Sequence, residues 1–170
     1  MNVTVKAKLS KEWIQAIKKV QTLGGVKGVK VGIVEPATNS RTGDNIAEYA
    51  FFNEFGTKNI KPRPFMRLTA ERHSQEWARL FIQVTGDTLI RDPNVAKRAF
   101  TLIGKRAVED MKATIKSNVP PPNKENTLAR KMARPNGKTK GAYVGTLYDT
   151  GEMAQSIAFK LYSRAEELNA

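Results

Sequence analysis

The chain has no cysteine and a single histidine, His73. The first absence removes disulfides, thiolate nucleophiles and cysteine zinc sites together, and leaves stability to packing or assembly. The second removes histidine metal clusters, and any Ser-His-Asp arrangement would have to use His73 as its base. No run approaches the roughly 18 consecutive apolar residues of a membrane span. The opening Met1-Asn2-Val3-Thr4-Val5 alternates polar and apolar residues instead of building a signal-peptide core. A soluble protein made in the cytoplasm, with no membrane partner, is the expectation. Acidic residues are scarce, 16 against 29 basic ones, for a formal charge of +13. Such an excess favours polyanions or acidic proteins as partners through long-range attraction and counterion release, and says nothing about fold. The carboxylates are scattered, without the paired spacing that acid-base or metal chemistry uses, so no catalytic residue, metal or cofactor is assigned.

What is present suffices for one core. At 170 residues and 40% hydrophobic content, residues 1–170 are read as one domain. Val3, Val5, Ala7 and Leu9 alternate with polar residues as a half-buried strand. Ser10 then caps a helix whose Trp13, Ile17 and Val20 recur at helical spacing until Gly24-Gly25. Val29, Val31 and Ile33 form a second strand, and residues 35–43, rich in Pro, Asn, Ser, Thr and Gly, read as a mobile loop. A helix opens at Asp44 or Asn45, with Glu48 suited to a capping pair, and Gly56 stands where a left-handed residue turns the chain.

After Pro62-Arg63-Pro64, the steps of Met66, Ala70, His73, Trp77, Leu80 and Val84 predict a long helix ending near Arg91. Asp92-Pro93 restarts the chain as a helix with Val95, Phe100, Ile103, Ala107, Met111 and Ile115 on its apolar face, stopped by Pro120-Pro121-Pro122. A short helix capped by Asp149 or Thr150 precedes a final strand carrying Ile157, Phe159 and Leu161. Strands towards both ends with helices between predict an α+β fold, a small mixed or antiparallel sheet packed against several helices.

Lys97 to Lys140 holds twelve basic residues against Glu109, Asp110 and Glu125, and so carries most of the excess charge. Within it, residues 123–141 have six Lys or Arg and almost no large apolar side chain, and read as an extended, exposed basic loop. Lys124, Arg130, Lys131, Arg134, Lys138 and Lys140 are candidates to touch nucleic-acid phosphates or to grip an acidic neighbour. With no aromatic residue among them for base stacking, a DNA contact would be independent of sequence and steeply salt-sensitive. A solvated loop accounts for the same residues.

Three further patterns have bland explanations. Asp149-Thr150-Gly151 matches the aspartic-protease triplet but occurs once and suits a helix cap. Gly137-Lys138-Thr139 resembles the end of a phosphate-binding loop, yet Met132 stands where that pattern needs glycine. His73 lies on an apolar stripe, where packing is its ordinary role.

The run Asn53-Glu54-Phe55-Gly56-Thr57 followed by Pro62-Arg63-Pro64-Phe65-Met66 is the sharpest local feature. Glu54, Phe55, Arg63, Phe65 and Arg67 around this proline-stiffened turn are candidates for a rigid protein interface, since Phe and Arg are favoured there. The competing reading makes Phe65 core and pairs Arg63 with Glu54. With Val31-Gly32-Ile33 before it, Thr127-Leu128 after it, and Leu147-Tyr148-Asp149-Thr150-Gly151-Glu152-Met153 leading to Ser156-Ile157, the run resembles the tail-completion or neck proteins of long-tailed bacteriophages.

That resemblance implies a non-enzymatic virion component at the head-tail junction, present in the host cytoplasm during assembly. It implies a homo-oligomer, commonly a six-membered head-to-tail ring, between the connector or adaptor and the tail tube or terminator, with DNA passing through. The rival expectations are a basic nucleic-acid-binding protein and an assembly chaperone absent from finished particles.

Overall fold

The computed structural model of the chain describes residues 11, 15, 26–34, 36–39, 43–86, 88, 92, 94–133 and 145–163. The expected strand over residues 3–9, most of the helix that follows it, and Arg134, Lys138 and Lys140 lie outside the described residues. Among the described residues two strands and five helices run in the order β1 (Val26–Gly32), α1 (Ile46–Phe55), α2 (Phe65–Thr85), α3 (Asn94–Lys116), α4 (Glu125–Met132), α5 (Glu152–Gln155) and β2 (Ala158–Ser163). The fold is α+β, with β1 and β2 antiparallel and packed on helices. No helix among the described residues is long and apolar enough to cross a membrane.

Helix α3 is the central support. Val95, Phe100, Ile103, Ala107, Met111 and Ile115 are all buried, as their spacing predicts. All but Ala107 divide between two apolar clusters. Phe81, Val95, Ala96, Ala99, Phe100 and Ile103 form one, and Ile46, Phe65, Met111, Ile115, Leu147 and Ile157 belong to the other. The sheet lies on the same helix, where Gly104 lets β2 approach closely: a Cβ there would stand 2.4 Å from the Phe159 ring. Register pairs Val29 with Leu161 and Val31 with Phe159.

Helix α2 turns a slightly different face inward from the one its apolar spacing suggests. Phe65, Thr69, Phe81 and Thr85 are its buried residues, while Met66, Trp77, Leu80 and Val84 are half-buried against the clusters. The two threonines enter the core because each hydroxyl donates to the carbonyl four residues back, at 2.7 Å, which satisfies the polar group locally. The helix stops at Thr85, short of Arg91, because Gly86 takes a positive φ of 43°. Asp92 then restarts the chain, its Oδ1 accepting from the Asn94 amide at 2.8 Å.

One local expectation is corrected, and three others gain detail. Residues 123–141 are not all loop, since 125–132 form α4. The loop before α1 is closed by a bridge between Thr38 and Asn45, with the Asn39 amide donating to the Asp44 carbonyl at 2.8 Å. Helix α5 is opened by Gly151, with φ of 85°, and the Thr150 hydroxyl accepts from the Glu152 amide at the helix start across a long 3.5 Å. Asn45 does cap α1, accepting from the Ala47 amide at 2.9 Å.

Candidate assembly surface

The motif over residues 53–67 folds into an internal joint between α1 and α2. Glu54 is 2% exposed, so its charge needs partners, and it finds them at the first turn of α2. Its carboxylate accepts from the Met66 amide at 2.8 Å, the Arg67 amide at 3.2 Å and Arg67 Nε at 3.0 Å. An acid placed on the unsatisfied amides of a helix N-terminus supplies what Pro64, the preceding residue, lacks. The Asn53 carbonyl accepts from the Arg63 amide and its side chain donates to the Tyr49 carbonyl, at 2.6 and 2.8 Å. Gly56 adopts φ of 78°, with Ile60 and Pro62 atoms within about 3 Å of where a Cβ would be.

Arg63 and Phe65 are therefore part of the interior and do not offer their side chains to a neighbour. Phe65 is fully buried. Arg63 does not pair with Glu54; its Nε and a terminal nitrogen donate to the carbonyls of Pro121 and Pro122 at 2.8 and 3.2 Å. This locks the motif to the chain leaving α3. Burial lowers the guanidinium pKa from its usual value, with Tyr49 opposing the shift, and the group stays charged as arginine does.

Of the five proposed interface residues, Phe55 and Arg67 reach the surface. Phe51 joins them, one helical turn before Phe55 with ring centroids 4.7 Å apart, and the Arg67 guanidinium stands 5.2 Å from the Phe55 centroid. Phe51 is 46% exposed and Phe55 38%. The last turns of α1 depart from ordinary amphipathicity: beyond buried Ile46 and Ala50 the helix also buries Asn53 and Glu54 and turns two phenylalanines outward. Phe51 was missed because its neighbours, Ala50 and Phe52, make the stretch read as uniformly apolar. The available signal was its four-residue spacing from Phe55.

The basic residues divide in the same way. Lys131 is 7% exposed and donates to the carbonyls of Gly145, Thr146 and Tyr148 at 2.8, 3.3 and 3.2 Å. It ties α4 to the segment before α5 and is removed from the candidates for a DNA or acidic-partner contact. Asn123 and Asn118 fasten the same segment through Gly145 and Thr146. Lys124 and Arg130 remain exposed.

Asp149 lines a cleft of about 270 Å³ with Asp44, Arg130 and Glu152. The glycine of its triplet has a local reason: a Cβ on Gly151 would meet the Tyr148 hydroxyl at 2.8 Å, in a left-handed backbone. His73 stacks beside Trp77 and faces Glu76 and Asp110, at 3.4 and 3.8 Å. Buried Asp110 accepts from Trp77 Nε1 at 2.8 Å and pairs with Arg106 at 3.3 Å. Among the described residues no group of three His, Cys, Asp or Glu side chains is placed to hold a metal ion.

Comparison with family models, with curated proteins and with solved structures returns no match for this chain.

Proposed function

We propose that this chain is a structural subunit of a phage particle at the head-tail junction, of the neck or tail-completion kind, which acts through oligomer geometry without a chemical step. The observation that carries the reading is the outward Phe51 and Phe55 pair on α1, beside Arg67. Two outward apolar rings beside an arginine are what a contact surface requires, and the joint at Glu54 and Arg63 holds that helix rigid before any partner arrives. The residue runs that resemble the neck proteins support the same reading. The charge of +13 suits a ring through which DNA passes.

In a head-to-tail ring this patch meets a different surface on the next copy, so a hexamer or another closed ring forms without twofold symmetry at the contact. Connector or adaptor and tail terminator or tube proteins are the neighbours above and below.

The test is immunogold labelling of purified virions with antibody to this chain, imaged by electron microscopy, together with mass spectrometry of the particles. Gold confined to the head-tail junction is expected. Particles free of the chain by both methods would overturn the reading in favour of an assembly chaperone or a nucleic-acid-binding protein.

A further inference from the structure

A second cleft, of about 600 Å³, opens between the loop after α1 and the face of α4. Ile60, Pro121, Pro122 and Tyr49 contribute its wall, and Lys61, Lys124 and Arg130 its exposed cations. Arg63 and Lys131 also line it, with their donors already committed to backbone carbonyls, so they add positive potential without seeking a new partner. No aspartate or glutamate lines this cleft. Among the described residues, no carboxylate lies in ion-pair distance of Lys61, Lys124 or Arg130. Arg130 stands at the partition with the smaller cleft, which holds the nearby acids Asp44, Asp149 and Glu152.

From this combination we infer that the cleft receives an extended segment of a partner protein that alternates acidic with aliphatic side chains. Charge complementarity asks for carboxylates or phosphates. Shape and wall chemistry then choose between them. A duplex backbone is convex and does not lower its phosphates into a recess, and a single strand, with only Tyr49 on which to stack a base, would leave the wall of Ile60, Pro121 and Pro122 without an apolar partner. Acidic residues on such a peptide reach Lys61, Lys124 and Arg130 while its aliphatic residues cover Ile60, Pro121 and Pro122. The two prolines, held by Arg63, present a rigid wall that needs no ordering on binding. The inference rests on the assembly reading only in requiring a protein partner, and it concerns a different face from Phe51 and Phe55.

The experiment uses the full chain on an array of random peptides, with bound peptides resynthesised and their affinities measured by fluorescence anisotropy. Enrichment of sequences combining Asp or Glu with Leu, Ile or Val is expected. The double reversal Lys61→Glu and Lys124→Glu, at exposed positions, should weaken a selected peptide more than about tenfold, with circular dichroism unchanged. An oligonucleotide, single-stranded or duplex, should compete poorly. Four results would each overturn the proposal: no enrichment, enrichment of acidic residues without aliphatic ones, an affinity indifferent to the double reversal, or displacement of peptide by oligonucleotide at equal concentration. A negative array result alongside gold at the head-tail junction would remove this cleft and leave the assembly reading standing.

Discussion

Arg67 holds Glu54 at both side chain and main chain: its Nε lies 3.0 Å from the carboxylate, and a terminal nitrogen donates to the Glu54 carbonyl at 2.8 Å. The carboxylate also accepts two amides of α2, so the pair fixes how α1 meets α2. Glu54→Ala strips the helix start of its acceptor and is expected to lower stability by about 3 kcal/mol. Arg67→Ala, at a position with a 40% exposed side chain, should remove only about 1 kcal/mol. Urea unfolding of the two variants measures the difference.

Lys131 and Arg130 are chain neighbours with opposite roles. Lys131→Met leaves one buried and two part-buried carbonyls without their ammonium donor and should destabilise the protein by about 2 kcal/mol, with faster hydrogen exchange over residues 145–148. Arg130→Ala should leave stability within about 0.5 kcal/mol. If the two variants lose equal stability, Lys131 does not hold that segment.

Replacing Phe51 and Phe55 together with serine removes exposed rings and should change unfolding stability by under about 1 kcal/mol. Particle assembly in a complementation assay should nevertheless fall sharply, because interface aromatics carry disproportionate binding energy. Normal particle yield from a folded double variant would remove this face as the contact surface.

Gly104→Ala places a methyl carbon against the Phe159 ring, in a space with no slack. A loss of about 2 kcal/mol is expected, the usual size for overpacking, and Phe159→Leu in the same chain should restore part of it. Calorimetric Tm values for the single and double variants provide the check.

Asp92 gives a pH dependence whose sign is fixed. The side-chain hydrogen bond from Arg98 and the Asn94 amide lower its pKa below the ordinary carboxylate value of 3.8. The unfolded chain thus takes up its proton first as pH falls, so this contribution is complete above the unfolded pKa and lost as pH drops through the folded one. An NMR titration should find the Asp92 carboxyl titrating below 3.8, and Arg98→Ala should move it upward.

The long helices were legible because their physics is periodic. Each apolar residue assigned to α3 is buried, for a helix over 20 residues long repeats its pattern often enough to be read. Helix α4 was not legible. Its eight residues are largely polar, the single four-residue step from Leu128 to Met132 is too short to read as a period, and Lys131 gains its place only from carbonyls that follow more than a dozen positions later. The same limit applies to Glu54. Its residue type suggests a surface, and only the turn through Pro62 and Pro64 brings the α2 amides to it. Within the motif, Phe55 and Arg67 face outward, whereas Arg63 and Phe65 hold it together from within, a division that residue type alone does not reveal.

The pairing of β1 with β2 has a consequence for synthesis. Val26 sits opposite Ser163, so this strand pair cannot form until nearly all of the described chain has left the ribosome. Helices α2 and α3 have their local contacts much earlier, and Gly104 waits for Phe159 to arrive from β2. A product terminated before β2 therefore leaves the sheet side of α3 uncovered, which exposes it to proteolysis.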